Sequence, residues 1–144
     1  MRIAYVINNA AFFVSHRLPI GNGAKAAGHE VALLTGQGGS ATLEPAAVRV
    51  LQACGMPHRA LAFDSTGVNP LRELLGLLQL TLALRRMQPD LVHCASPKGI
   101  LYGGLAARLA GVRSLVLAVS GMGFLFTGRK RGPARWLSSA YRRM

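Results

Sequence analysis

The run from Pro89 to Phe124, PDLVHCASPKGILYGGLAARLAGVRSLVLAVSGMGF, limits the fold more than any other stretch. Leu91 to Cys94 is a short apolar run bounded by Pro89 and Asp90, of strand length. Ala95 to Pro97 reads as a loop. Lys98 to Leu109 then has Leu101, Leu105 and Leu109 four residues apart, a helical spacing. Ala110-Gly111 ends that helix, because glycine accepts the left-handed conformation a helix stop requires. Leu115 to Val119 is a second apolar run, suited to a strand buried on both faces. Strand, helix and strand make one βαβ unit, and such units cross over right-handed into a parallel sheet. Ligands bind beyond the carboxyl ends of the strands in such sheets. That places two loops, HCASPK and SGMGF, where a ligand would sit.

The rest of the chain repeats the alternation. Arg2 to Ile7 is a first strand, and Asn8 to Val14 a loop with exposed-looking phenylalanines. Ser15 is positioned to cap a helix that takes Pro19 in its first turn and stops at Gly28. Glu30 to Thr35 is a second strand, Gly36 to Ser40 a loop, and a short helix opens at Thr42 to Glu44 and ends near Gly55. His58 to Phe63 is a third strand. Asn69 caps a long helix to Met87, with Pro70 at its first position. Its apolar side is Leu71, Leu74, Leu75, Leu78, Leu82 and Met87, widened by Leu77, Leu80 and Leu84. That breadth predicts a helix buried against the sheet, with exposure to an oily partner as the alternative. Five strands alternating with helices predict an α/β, Rossmann-like open parallel sheet in the order 3-2-1-4-5, helices on both faces. The domain is expected to run over residues 1–132, with 133–144 the start of a further helix.

With 144 residues, 51% of them apolar, the chain can bury a real core. No apolar run reaches the roughly 20 residues of a spanning helix. Cys54 and Cys94 fall in no metal or redox spacing and read as buried thiols of a reducing compartment. Lysine and arginine total 17 against 5 acids, for a net charge of +12. Nothing after Asp90 balances Lys98, Arg108, Arg113, Arg129, Lys130, Arg131, Arg135, Arg142 and Arg143. Such a half seeks an anionic partner, whether phosphorylated ligand, membrane or nucleic acid, unless it is only a basic surface.

Candidate chemistry gathers at three loops. His16 could exchange a proton near neutral pH, and Arg17 could fork onto a phosphate or carboxylate; a plain helix start is the alternative. His93, Ser96 and Lys98 follow the fourth strand. Lys98 at a helix N-terminus opposes the dipole, so an anion there is expected, or else solvent. A lone histidine such as His93 fits a core position. Ser120, Gly121 and Gly123 let backbone approach a ligand closely, or form only a tight turn. GQGGSA follows the second strand rather than the first and is not GxGxxG, which argues against NAD. No Walker lysine, no Ser/His/Asp set and no metal cluster is recognisable. No carboxylate pair is expected at the ligand edge, because the five acids are scattered. The result looks like half of a site.

Three stretches in order, FFVSHRLPIGNGAKAAGHEVALLT, PDLVHCASPKGILYGGLAARLAGV and LAVSGMGFLF, cover about half the chain. On them the chain resembles the N-terminal, acceptor-binding domain of family 4 glycosyltransferases of the GT-B fold, of the kind that build bacterial lipopolysaccharide, O-antigen or capsule. The resemblance implies one half of a GT-B fold. It implies retaining transfer of a sugar from a nucleotide-sugar substrate to a lipid-linked saccharide, with no further cofactor. A C-terminal domain, absent from this chain, would hold the donor, so the chain alone is expected to be inactive. Many members have a Gly-rich turn where this chain has NNAAFF, and HGxGF where this chain has Ser120. On this reading His16 and Arg17 meet acceptor sugar or diphosphate, Lys98 meets phosphate, and Ser96, Ser120, Gly121 and Gly123 line the cleft. Arg129, Lys130 and Arg131 would meet lipid headgroups at the inner face of the cytoplasmic membrane, at about 1 kcal/mol per basic residue. Nucleic acid is not an expected partner. A basic nucleic-acid-binding module and a self-sufficient nucleotide-binding protein are the rivals.

Overall fold

A computed structural model describes residues 1–64 and 69–119. The chain alternates β1 (Arg2–Ile7), α1 (Ala10–His16), α2 (Leu18–Ala26), β2 (Glu30–Gln37), α3 (Leu43–Ala53), β3 (His58–Asp64), α4 (Pro70–Met87), β4 (Leu91–Ala95), α5 (Pro97–Leu109) and β5 (Ser114–Ala118). The strands form one parallel sheet in the order β3-β2-β1-β4-β5, as the alternation predicts. β1 is central and buried on both faces. Ile3, Tyr5 and Ile7 point into one core and Ala4 and Val6 into the other, as a two-residue period requires.

Those two cores lie on opposite sides of the sheet. One joins Tyr5, Ile7 and Leu33 to Phe13 of α1 and Leu51 of α3. The other joins Val6, Leu34, Phe63, Val92 and Cys94 to Leu80 and Leu84 of α4 and to Ile100, Ala106 and Ala107 of α5. Gly111 does end α5 region with a left-handed backbone, φ 75°.

Three local expectations give way. The segment Asn8 to Val14 is not a loop: α1 begins at Ala10, and the Asn9 side chain caps it by accepting from the Phe12 N–H at 2.8 Å. Phe13 is fully buried rather than exposed. Ser15 is no cap; it sits in the last turn of α1, its hydroxyl donating to the Ala11 carbonyl at 2.8 Å.

The larger correction concerns the leucines. Leu71, Leu74, Leu75, Leu78 and Leu82 of α4 are exposed, as are Leu105 and Leu109 of α5. The faces that meet the sheet carry Leu80 and Leu84 of α4 and Ile100 of α5 together with small residues. A Cβ on Gly76 would lie 2.5 Å from the Phe63 nitrogen, and one on Gly103 would strike the Cys94 sulfur. At these two points helix and strand approach too closely for any larger side chain.

Candidate functional site

The strand order reverses beside β1, so the crevice of this sheet opens between the carboxyl ends of β1 and β4. Asn8 follows β1 and Ser96 follows β4, and the two are tied. The Ser96 hydroxyl donates to Asn8 Oδ1 at 2.7 Å and accepts from the Asn8 N–H at 3.0 Å. Asn8 Oδ1 also accepts from the Gly99 N–H at 3.3 Å. Ser96 is buried and has φ 70° and ψ 153°, a conformation that costs a non-glycine residue of order 1–3 kcal/mol. The surrounding bonds hold it there, at the start of α5.

Lys98 lies one turn into this rim. Its ammonium donates to the Asp64 carbonyl at 2.7 Å and to Glu73 Oε1 at 2.9 Å. The side chains are 20% and 11% exposed, so this pair is well shielded from water. The anion expected beside Lys98 is therefore supplied from within the chain, by α4. Tyr102 lies next to the same carboxylate; burial first, then Glu73, push its hydroxyl up to about 12.

Glu44, at the start of α3, acts in a similar way on α1. Its Oε1 accepts from the Ala10 N–H at 2.7 Å and its Oε2 from the Ala11 N–H at 3.0 Å. Both donors are free N–H groups of a helix N-terminus, which favour negative charge. Glu44 and Glu73 thus each meet a partner 25 to 34 residues away in sequence, and no local motif announces either contact. They belong to helices on opposite faces of the sheet, α3 and α4.

His16 and Arg17 lie at the other end of α1. The His16 ring stacks on Phe12 with centroids 4.5 Å apart, and its Nδ1 is 2.7 Å from the Ser15 hydroxyl. Arg17 is half-buried near Tyr5 and His93. Its positive charge works with burial to lower the His93 pKa, and partly offsets the burial that raises Tyr5. His93 is not at the strand end. It is mid-strand, in register with Tyr5 and Val116, and its ring lies 4.9 Å from that of Tyr5. Arg17 Nε and His93 Nε2 are both buried and have no hydrogen-bond partner among the described residues. Thus Asn8, Ser96 and Lys98 line the rim, while Arg17 and His93 lie deeper, over the sheet. Ser120, Gly121, Gly123, Arg129, Lys130 and Arg131 lie outside the described residues.

Cys94 is fully buried, its thiol pushed up to about 12 by burial, and Cys54 is half-buried. Among the described residues no helix is long and apolar enough to cross a membrane.

The profile of the family described as "Glycosyl transferase 4-like" matches residues 2–144. Comparison with curated proteins finds no match. Among solved structures the chain is similar to MurG of Acinetobacter baumannii, at 18% identity and a TM-score of 0.65, over 96% of this chain and 39% of that one. It is similar to a putative UDP-N-acetylglucosamine 2-epimerase of Listeria monocytogenes, at 11% identity and a TM-score of 0.65, over 96% and 36% of the two chains. A glycosyltransferase of Rickettsia africae aligns at 18% identity and a TM-score of 0.58, over 81% and 28%. The chain therefore spans about two fifths or less of the length of these three proteins. At such identities they establish a shared fold of the GT-B, Rossmann-like kind.

Proposed function

Because the chain belongs to the glycosyl transferase 4-like family, we propose that it forms the acceptor-binding half of a sugar-transferring enzyme. The observation that favours the acceptor over the donor is the rim's own chemistry. A donor nucleotide calls for several open phosphate receptors together, and here Glu44 takes the N–H groups at the start of α1 while Lys98 already shares its charge with Glu73. A second domain is thus left to bind the nucleotide-sugar, and this half to present the group that is glycosylated.

In the proposed reaction a lipid-linked saccharide rests along the crevice between β1 and β4. Transfer proceeds with retention, in the assembly of a bacterial surface polysaccharide such as lipopolysaccharide. Arg17 takes the acceptor diphosphate or a sugar hydroxyl. Its Nε, like His93 Nε2, is a buried polar atom with no partner among the described residues, and such atoms call for one. His16 borders the same contact. Ser96, in its strained conformation, fixes the position of the α5 N-terminus, and Lys98 reaches phosphate only by sharing its charge with Glu73. Ser120, Gly121 and Gly123 complete the wall. The enzyme would work in the cytoplasm at the inner face of the membrane, where Arg129, Lys130 and Arg131 meet headgroups.

The test is transfer by the whole protein. Arg17→Ala is expected to lower kcat/KM for a lipid-linked acceptor by about 10-fold to 100-fold, the loss of one charge-assisted contact, with the KM for nucleotide-sugar unchanged. Unaltered transfer, or a defect confined to the nucleotide-sugar, would remove Arg17 from the acceptor site.

A further inference from the structure

The outer face of α4 is apolar in a way the fold does not use. Leu71, Leu74, Leu75, Leu78 and Leu82 fall within a sector of about 100° at 3.6 residues per turn, opposite the buried Leu80 and Leu84. Their exposures are 79%, 57%, 49%, 54% and 50%. The stripe is roughly 16 Å long at 1.5 Å per residue. Leu105 and Leu109 of the adjacent α5 are exposed as well, and Arg85 joins the two helices by donating to the Leu109 carbonyl at 3.0 Å.

Charge around this stripe is predominantly positive, although the Asp64 carboxylate at the end of β3 pairs with Arg72 at 3.3 Å. Arg72, Arg85 and Arg86 of α4 and Arg108 of α5 are exposed. The single carboxylate on either helix, Glu73, is turned inward to Lys98. An apolar stripe edged by arginine, with no outward carboxylate on either helix, matches a surface that is oily and anionic together. That is the boundary of a bilayer containing acidic lipid. A second copy of the chain fits less well. A two-fold pairing of such faces would bring two cation-rich helix pairs together, with no outward carboxylate on α4 or α5 to meet them.

We infer that α4 lies along an anionic bilayer, its leucines at the acyl boundary and its arginines at the headgroup phosphates. This rests on the reading above for its sense, since a lipid-linked acceptor is held in a bilayer, but the leucine face does not depend on which sugar is moved.

Vesicle flotation of the 144-residue chain tests it, with phosphatidylcholine vesicles containing phosphatidylglycerol and with phosphatidylcholine alone. The chain should float with the anionic vesicles and much less with the neutral ones. The variant Leu74→Gln/Leu75→Gln/Leu78→Gln should keep its helical circular dichroism and bind about tenfold or more weakly. Three results would overturn the inference: flotation of that variant like the parent; loss of flotation only in Arg129→Ala/Lys130→Ala/Arg131→Ala; or a dimer in sedimentation that the leucine substitutions dissolve. Flotation as expected, combined with no transfer to any lipid-linked acceptor, would count against the proposed function and leave the bilayer face standing.

Discussion

Glu44 does work at a distance that its neighbours in sequence do not show. One carboxylate receives two N–H groups of α1, a helix of only 7 residues that could not hold itself together by propensity. Glu44→Ala is expected to lower unfolding free energy by roughly 1–2 kcal/mol in urea titration, the scale of losing a cap, and Glu44→Gln by less. No change in either would mean that α1 is held by Phe13 alone. At this scale the sequence shows some caps and hides others. Asn69 is legible, with proline directly after it, and it accepts from the Leu71 and Arg72 N–H groups as expected. Asn9 has an equal claim, but Asn8 beside it makes the pair look like a turn. The Glu44 and Glu73 contacts are illegible, because their partners lie 25 or more residues away.

Among the elements, every strand and the long helix follow from hydrophobic runs and their boundaries. Which side of a helix packs does not. The leucines of α4 and α5 repeat at helical spacing, and periodicity alone takes them for the core face. The face that packs includes Gly76, where Phe63 of β3 comes so near α4 that no larger side chain fits. In an open helix, glycine to alanine would stabilise by about 1 kcal/mol. Gly76→Ala should instead destabilise by about 1–3 kcal/mol, because the added Cβ meets backbone and cannot be relieved by a rotamer change. A rise in melting temperature for this variant would show that α4 stands further from β3.

For the molecule as a whole, strand order follows from the alternation of elements, because right-handed crossovers leave few topologies open. The crevice between β1 and β4 is placed by the same rule, and Asn8 and Ser96 close across it. The proposed acceptor role leans on contacts no linear pattern reveals: Glu44 at α1 and Glu73 at Lys98. The division of labour they favour, acceptor on this half and donor elsewhere, is open to direct measurement by calorimetric titration of the 144-residue chain in detergent. Saturable binding of a polyprenyl diphosphate saccharide, with no saturable binding of a nucleotide-sugar, is the expected result. Saturable nucleotide-sugar binding by this chain alone, with none of the lipid-linked saccharide, would contradict it.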